Sequence, residues 1–138
     1  MTSPYYELAY SYEGLNASER AGFSVAGVGF DTHDAKNTRY HQYDFNKDGE
    51  FDIVIGAPGY NSNAGRIYVV DKSAATLSSA ILTVNGENTG DQFGWSVAFL
   101  GERNPSLTTG GFADIAVGAP DHNSATGKVY FFDGATSP

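Results

Sequence analysis

Four oxygen-bearing side chains fall within one short run: Asp44, Asn46, Asp48 and Asp52. Gly49 stands among them, where a chain wrapped tightly around an ion needs a residue free to take positive φ. The donors are all oxygen and three are anionic, which suits a hard cation. The run leads directly into Ile53-Val54-Ile55 and stops at Gly56-Ala57-Pro58. β-Branched apolar residues favour a buried strand, and proline ends it because it cannot donate to a central ladder. A cation loop therefore feeds a strand. An Asp/Asn/Gly turn holding no ion is the alternative reading of the same residues.

A second concentration of chemistry lies in the polar stretch Phe30 to Tyr43, which carries Asp31, His33, Asp34, Arg39, Tyr40 and His41. Histidines and carboxylates this close can hold a transition metal or a ligand, and long loops on a rigid scaffold are where binding concentrates. His33, Arg39, Tyr40 and His41 are the candidate ligand contacts, and a solvated insertion is the alternative. No catalytic set emerges. Ser24 and Ser96 lie inside apolar strands, and none of His33, His41 and His122 sits with a nucleophile in a recognisable motif. His122 follows a Gly-Ala-Pro turn and reads as a loop residue.

The elements that would position these groups are short strands. The chain has 138 residues, with 17 glycines and 18 Phe and Tyr against one Met, a balance suited to strands with Gly-rich turns. The formal charge is −8 with no Lys/Arg cluster, which argues against a nucleic-acid partner and against an anionic membrane surface. There is no cysteine, so disulfides, thiolate metal sites and Cys nucleophiles are excluded. No apolar run is long enough for membrane insertion, and the N-terminus lacks the pattern of a signal peptide. Strands are expected over Tyr5–Tyr12, from Gly22 to about Gly29, over Gly65–Val70 and over Ser79–Val84.

The pattern then recurs. Gly94-Trp95-Ser96-Val97-Ala98 repeats Gly22-Phe23-Ser24-Val25-Ala26 at an offset of 72 residues. Asp114-Ile115-Ala116-Val117-Gly118-Ala119-Pro120 repeats Asp52 to Pro58 at 62, and Gly127 to Asp133 repeats Gly65 to Asp71 at the same 62. Three motifs in the same order, each on a strand, point to propeller blades. Phe23 and Trp95 occupy equivalent positions and are expected to pack in the core, as are Tyr68 and Tyr130.

These motifs resemble the FG-GAP repeat of the β-propeller head of integrin α-subunits. That repeat runs from an F-G-x-S-V-A strand through a D-x-N-x-D-G-x-x-D loop into a strand ending G-A-P, then a G-x-V-Y strand. Phe93-Gly94-Trp95-Ser96-Val97-Ala98 matches its opening, while Ala21 stands where the first copy would have phenylalanine. The resemblance implies an all-β fold of four-stranded blades, calcium in the loop between a blade's first two strands, and extracellular recognition. Calcium takes six to eight oxygens. Here they would come from the side chains of Asp44, Asn46, Asp48 and Asp52 and the carbonyl of Glu50. An EF-hand would need a glutamate where Ile55 stands, so the short form closed by Asp52 is the one that fits. The second copy lacks an acidic pattern ahead of Asp114, which is expected to hold backbone rather than an ion.

The expected organisation is a single segment, 1–138, with a fourth blade strand over 5–14, blade one over 21–86 and three strands of blade two over 93–133. The N-terminal strand of one copy is expected to complete the last blade of a neighbouring copy. Two-blade units would then close head to tail as a homo-oligomeric ring, a trimer or a tetramer. The function expected is a calcium-binding, non-catalytic scaffold for binding, adhesion or assembly, extracellular or at the cell surface, with a protein or glycan ligand. A carbohydrate-binding, lectin-like module and an accessory domain of a larger secreted hydrolase, lyase or adhesion protein are the alternatives.

Overall fold

The computed structural model describes residues 2–3, 6–7, 10–27, 44–46, 48, 51–71, 73–101 and 113–134. Its strands are β1 (Thr2–Ser3), β2 (Tyr6–Glu7), β3 (Ser24–Ala26), β4 (Ile53–Ala57), β5 (Arg66–Val70), β6 (Leu82–Asn85), β7 (Ser96–Gly101), β8 (Asp114–Ala119) and β9 (Lys128–Phe132). β3-β4-β5-β6 form one antiparallel sheet and β7-β8-β9 a second, while among the described residues β1 and β2 pair with each other alone. The fold is all-β. Among the described residues no helix is long and apolar enough to cross a membrane.

The repeat seen in the sequence is a repeat of register. Gly56 faces Ile67 and Ser24 in the first sheet, and Gly118 faces Val129 and Ser96 in the second. The turn after each Gly-Ala-Pro is also repeated, with three consecutive residues in the left-handed region. These are Asn61, Ser62 and Asn63 in the first copy and Asn123, Ser124 and Ala125 in the second, at φ from 46° to 65°.

Two apolar clusters flank the first sheet. On one face Val54, Ile67 and Val69 pack with Phe93, Ile115, Val117 and Ala119 of the second repeat. On the other, Ile55, Ala57, Tyr68 and Val70 are covered by Ala74 and Leu77, with Tyr12, Ala21 and Ala80 around them. Having two covered faces explains why β5 is buried almost throughout. In β9 burial alternates, because among the described residues cover lies on one face of the second sheet.

The seam between the sheets explains the motif glycines. Phe93 is 1 % exposed and sits edge-on to Tyr130 and Phe132, at centroid distances of 5.0 and 6.1 Å. Its N–H donates to the Ala64 carbonyl, and Phe93 bridges Gly65 in parallel. A Cβ on Gly65 would run into the Phe93 backbone, and one on Gly56 would run into the Gly94 carbonyl. That carbonyl accepts a hydrogen bond from Ser24 Oγ at 2.8 Å. The two repeats therefore touch backbone to backbone, which only glycine permits.

Three expectations need adjusting. Phe23 and Trp95 are not core: they are 40 % and 39 % exposed and pack on each other at 4.5 Å. Each follows a glycine at φ near +88° (Gly22 and Gly94), which breaks the strand alternation and turns the next side chain outward. The fourth strand runs Leu82–Asn85 rather than Ser79–Val84, because Leu77–Ser79 forms a 3₁₀ turn that seats Leu77 under Tyr68. Among the described residues of the N-terminal stretch, Tyr6–Glu7 is strand and residues 10–14 lie outside any ladder. Tyr12 nevertheless lies against the first sheet, its hydroxyl donating to the Asp71 carbonyl at 3.3 Å. Tyr68 and Tyr130 pack as expected.

Candidate functional site

The acidic run is fixed at its start by a hydrophobic anchor. Phe45 is buried in the cluster between the sheets, and the Asp44 carbonyl accepts from Ala113 N–H at 3.1 Å. These contacts tie the loop to the second sheet as well as to β4, which it precedes. Asp44 and Asp52 are both buried, at 1 % and 0 % exposure.

The loop is then wound by its own side chains. Asp48 N–H donates to Asp44 Oδ1 and to Asn46 Oδ1, each at 3.1 Å. Asn46 Nδ2 donates to Asp48 Oδ2 at 3.0 Å. Phe45 N–H donates to Asp52 Oδ2 at 2.6 Å, a short charge-assisted bond. The other oxygen of the same carboxylate, Asp52 Oδ1, is buried without a hydrogen-bond partner. Burial pushes the Asp52 carboxyl up to about 7. The Phe45 N–H works against that rise, and the negative charges of Asp48 and Asp44 add to it.

A buried, half-satisfied carboxylate beside two more carboxylates is an arrangement a bound cation would relieve. The donor set is all oxygen, so the residues fit calcium. Asp44, Asn46, Asp48 and Asp52 would hold it, and the ion would neutralise the loop and fix its path. Among the described residues no three acidic or histidine side chains already converge into a cage. Glu50, the fifth expected donor, lies outside the described residues, as do His33, Arg39, Tyr40 and His41.

In the second repeat Asp114 is buried and its Oδ1 accepts from Gly134 N–H at 3.1 Å, which is the backbone-holding role expected of it. Residues 102–112, where a second loop would run, lie outside the described residues.

Sequence reasoning overlooked two buried carboxylates, Glu19 and Asp91, which stand 72 residues apart at equivalent places. Asn16 Nδ2 donates to Glu19 at 2.9 Å and Asn88 Nδ2 to Asp91 at 3.0 Å. Glu19 also accepts from Leu15 N–H at 2.6 Å and from the Tyr68 hydroxyl at 3.1 and 3.2 Å. Burial raises the Tyr68 hydroxyl above its ordinary range. Asp91 pairs with His122 Nδ1 at 2.8 Å, and that contact holds its carboxyl below the usual range. The spacing Asn-x-x-Glu, matched by Asn-x-x-Asp at the repeat offset, is the signal that could have found them.

His122 is thus a partner of Asp91, in the turn where the sequence places it. Around it an open polar hollow of about 440 Å³ is lined by Asn88, Asp91, Asp121 and Asn123 among others. Ser24 spends its hydroxyl on the Gly94 carbonyl. Among the described residues no hydrogen bond joins a serine hydroxyl to His122.

Residues 42–70 match the family model described as FG-GAP repeat. The chain is similar to integrin alpha-5 of Xenopus laevis, 31 % identical over 134 residues, covering 91 % of this chain and 11 % of that protein. It is similar to integrin alpha-6 of Gallus gallus, 31 % identical over 133 residues, covering 93 % of this chain and 10 % of that one. It is also similar to phosphatidylinositol-glycan-specific phospholipase D of Mus musculus, 32 % identical over 106 residues, covering 67 % and 12 %. The chain spans about a tenth of the length of the curated relatives it matches.

Proposed function

Since the chain is an FG-GAP repeat protein of the integrin-like propeller type, we propose that it is a calcium-braced, non-catalytic propeller module serving binding, adhesion or assembly. The buried Asp52 carboxylate carries this reading, with one oxygen bonded to Phe45 N–H and the other without a partner. Asp44, Asn46, Asp48 and Asp52 supply side-chain oxygens and Glu50 its carbonyl. The ion's work is to pin the strand β4 and the long loop before it. Binding of a protein or glycan ligand falls to His33, Arg39, Tyr40 and His41 on that loop, at the cell surface or outside it, in keeping with the integrin resemblance. Further blades of the same kind complete the propeller, in a trimeric or tetrameric ring of this chain.

Isothermal titration with calcium tests the reading. One ion per chain is expected, with binding lost in Asp52→Asn. No heat and no binding in the parent chain would sink the calcium site. The similarity to a phospholipase favours one other reading, an accessory domain alongside a catalytic part elsewhere in a longer protein.

A further inference from the structure

The seam between the two repeats is a template for a contact that the outer faces of this chain are built to make again. On blade one that seam buries Val54, Ile67 and Val69. It brings Gly94 onto Gly56 and Phe93 onto Gly65, and it occupies the Ser24 hydroxyl. Blade two presents the equivalent face largely exposed among the described residues. Val129 and Phe131, counterparts of Ile67 and Val69, are 59 % and 55 % exposed. Gly118, the counterpart of Gly56, has no backbone closer than 3.9 Å to where its Cβ would be, and only Ser96 lies near it. At Gly127, the counterpart of Gly65, the nearest atoms are the chain's own Pro120 and Ala119, at 3.5 Å and beyond. Within the chain, only the flexible Ser96 hydroxyl would meet a Cβ on Gly118, and Gly127 takes a left-handed φ of +78°, so neither glycine meets the backbone of a neighbouring repeat as Gly56 and Gly65 do.

The opposite end carries the matching half. Gly22, the counterpart of Gly94, has the same left-handed backbone at φ +87°, with nothing within 4 Å of its missing Cβ. Val25 is 59 % exposed, whereas its counterpart Val97 packs into the seam. Tyr12, counterpart of Val84 in β6, already lies on blade one where a preceding blade's fourth strand would lie. Residues 10–14 run there outside any ladder, while among the described residues β9 pairs on its β8 side alone. An open strand edge beside an open apolar face is a docking surface for another strand and sheet.

We infer that the exposed face of blade two docks a second copy of this chain, head to tail. The second copy's residues 10–14 run along β9 as its fourth strand. Its turn Ala21–Phe23 seats over Gly118 and Gly127, and its Gly22 carbonyl accepts from Ser96 Oγ. Trp95 then meets the second copy's Phe23, as Trp95 meets Phe23 within one chain at 4.5 Å. This assignment rests on the ring reading above and gives it an interface. A contact between unlike faces propagates until the rotation closes it.

Two exposed valines, one on each face, make the test. Val129→Glu spoils only the blade-two face and Val25→Glu only the opposite one. Neither empties the core, and circular dichroism would confirm that both fold. Native mass spectrometry and sedimentation velocity in calcium should find the parent chain as a multiple of 14.7 kDa. Each variant alone should be a monomer. An equimolar mixture should give a one-to-one dimer and nothing larger, since one intact face of each kind remains. Emission from the single tryptophan, Trp95, should shift on mixing. A parent chain that stays monomeric at every concentration overturns both the ring and the interface. A parent that assembles while the variants assemble equally well, or while only one valine matters, overturns this interface and leaves the ring standing.

Discussion

Asp52 sets the chemistry of the loop because its two oxygens have different fates. One takes the Phe45 N–H, and the other is buried without a bond. Without a cation its carboxyl titrates near 7, against about 3.9 in an unfolded chain. Between those values the folded state holds the extra proton. Stability in EDTA is therefore greatest below that window, falls as pH rises through it and levels off above about 7. Calcium must displace the proton, so its stabilisation should grow from pH 5 to pH 8. Melting curves with and without calcium at pH 5, 6.5 and 8 check this, and a calcium effect independent of pH would place the ion elsewhere. A second residue-scale prediction concerns Ala125, held at φ +65° where the first repeat has Asn63 at +62°. A left-handed backbone costs a residue with a Cβ about 1–2 kcal/mol, and asparagine tolerates it best after glycine. Ala125→Asn should stabilise by roughly 0.5–1 kcal/mol in urea unfolding. No gain would mean the turn's geometry is imposed by its surroundings.

At the scale of elements, Phe93 is the plug of the seam, and its loss should be felt by both sheets. Phe93→Ala removes a buried aromatic and two edge-on ring contacts, and should cost about 3–5 kcal/mol. Phe131→Ala, at an exposed position of the same kind of strand, should cost under about 1 kcal/mol in the unassembled chain. Equal losses in denaturant titration would contradict the assignment of faces. The strands themselves were legible in the sequence. Ile53-Val54-Ile55 and Lys128-Val129-Tyr130 announce strands by residue type, and the repeat offset fixes their order. Legibility failed where a partner is remote. Glu19 and Tyr68 are 49 residues apart, and Asp91 and His122 are 31. Local pattern cannot report such pairs. Phe23 and Trp95 were misread for a different reason: side-chain type argued for burial, but a left-handed glycine before each one decided its direction. The candidate metal loop was legible as a donor set because its spacing is local. Its tie to the second sheet, through Phe45 and the Ala113 N–H, was not.

For the whole molecule that tie matters most, because it would make an ion in the loop the concern of both sheets. The loop's anchor residue lies in the shared core, and its first carbonyl is bonded to the residue preceding β8. Calcium bound there would stabilise the seam along with β4. Calcium at a hundred times its dissociation constant should stabilise the folded chain by about 2.7 kcal/mol. In a domain of this size that is roughly a 10 °C rise in melting temperature, taking about 4 °C per kcal/mol. The Val129→Glu chain is the right background for the measurement, since assembly would add its own concentration-dependent shift. Calorimetry should show a single transition that moves as a unit between calcium and EDTA. Two transitions of which only one responds would mean that the blades melt separately and that the loop braces blade one alone.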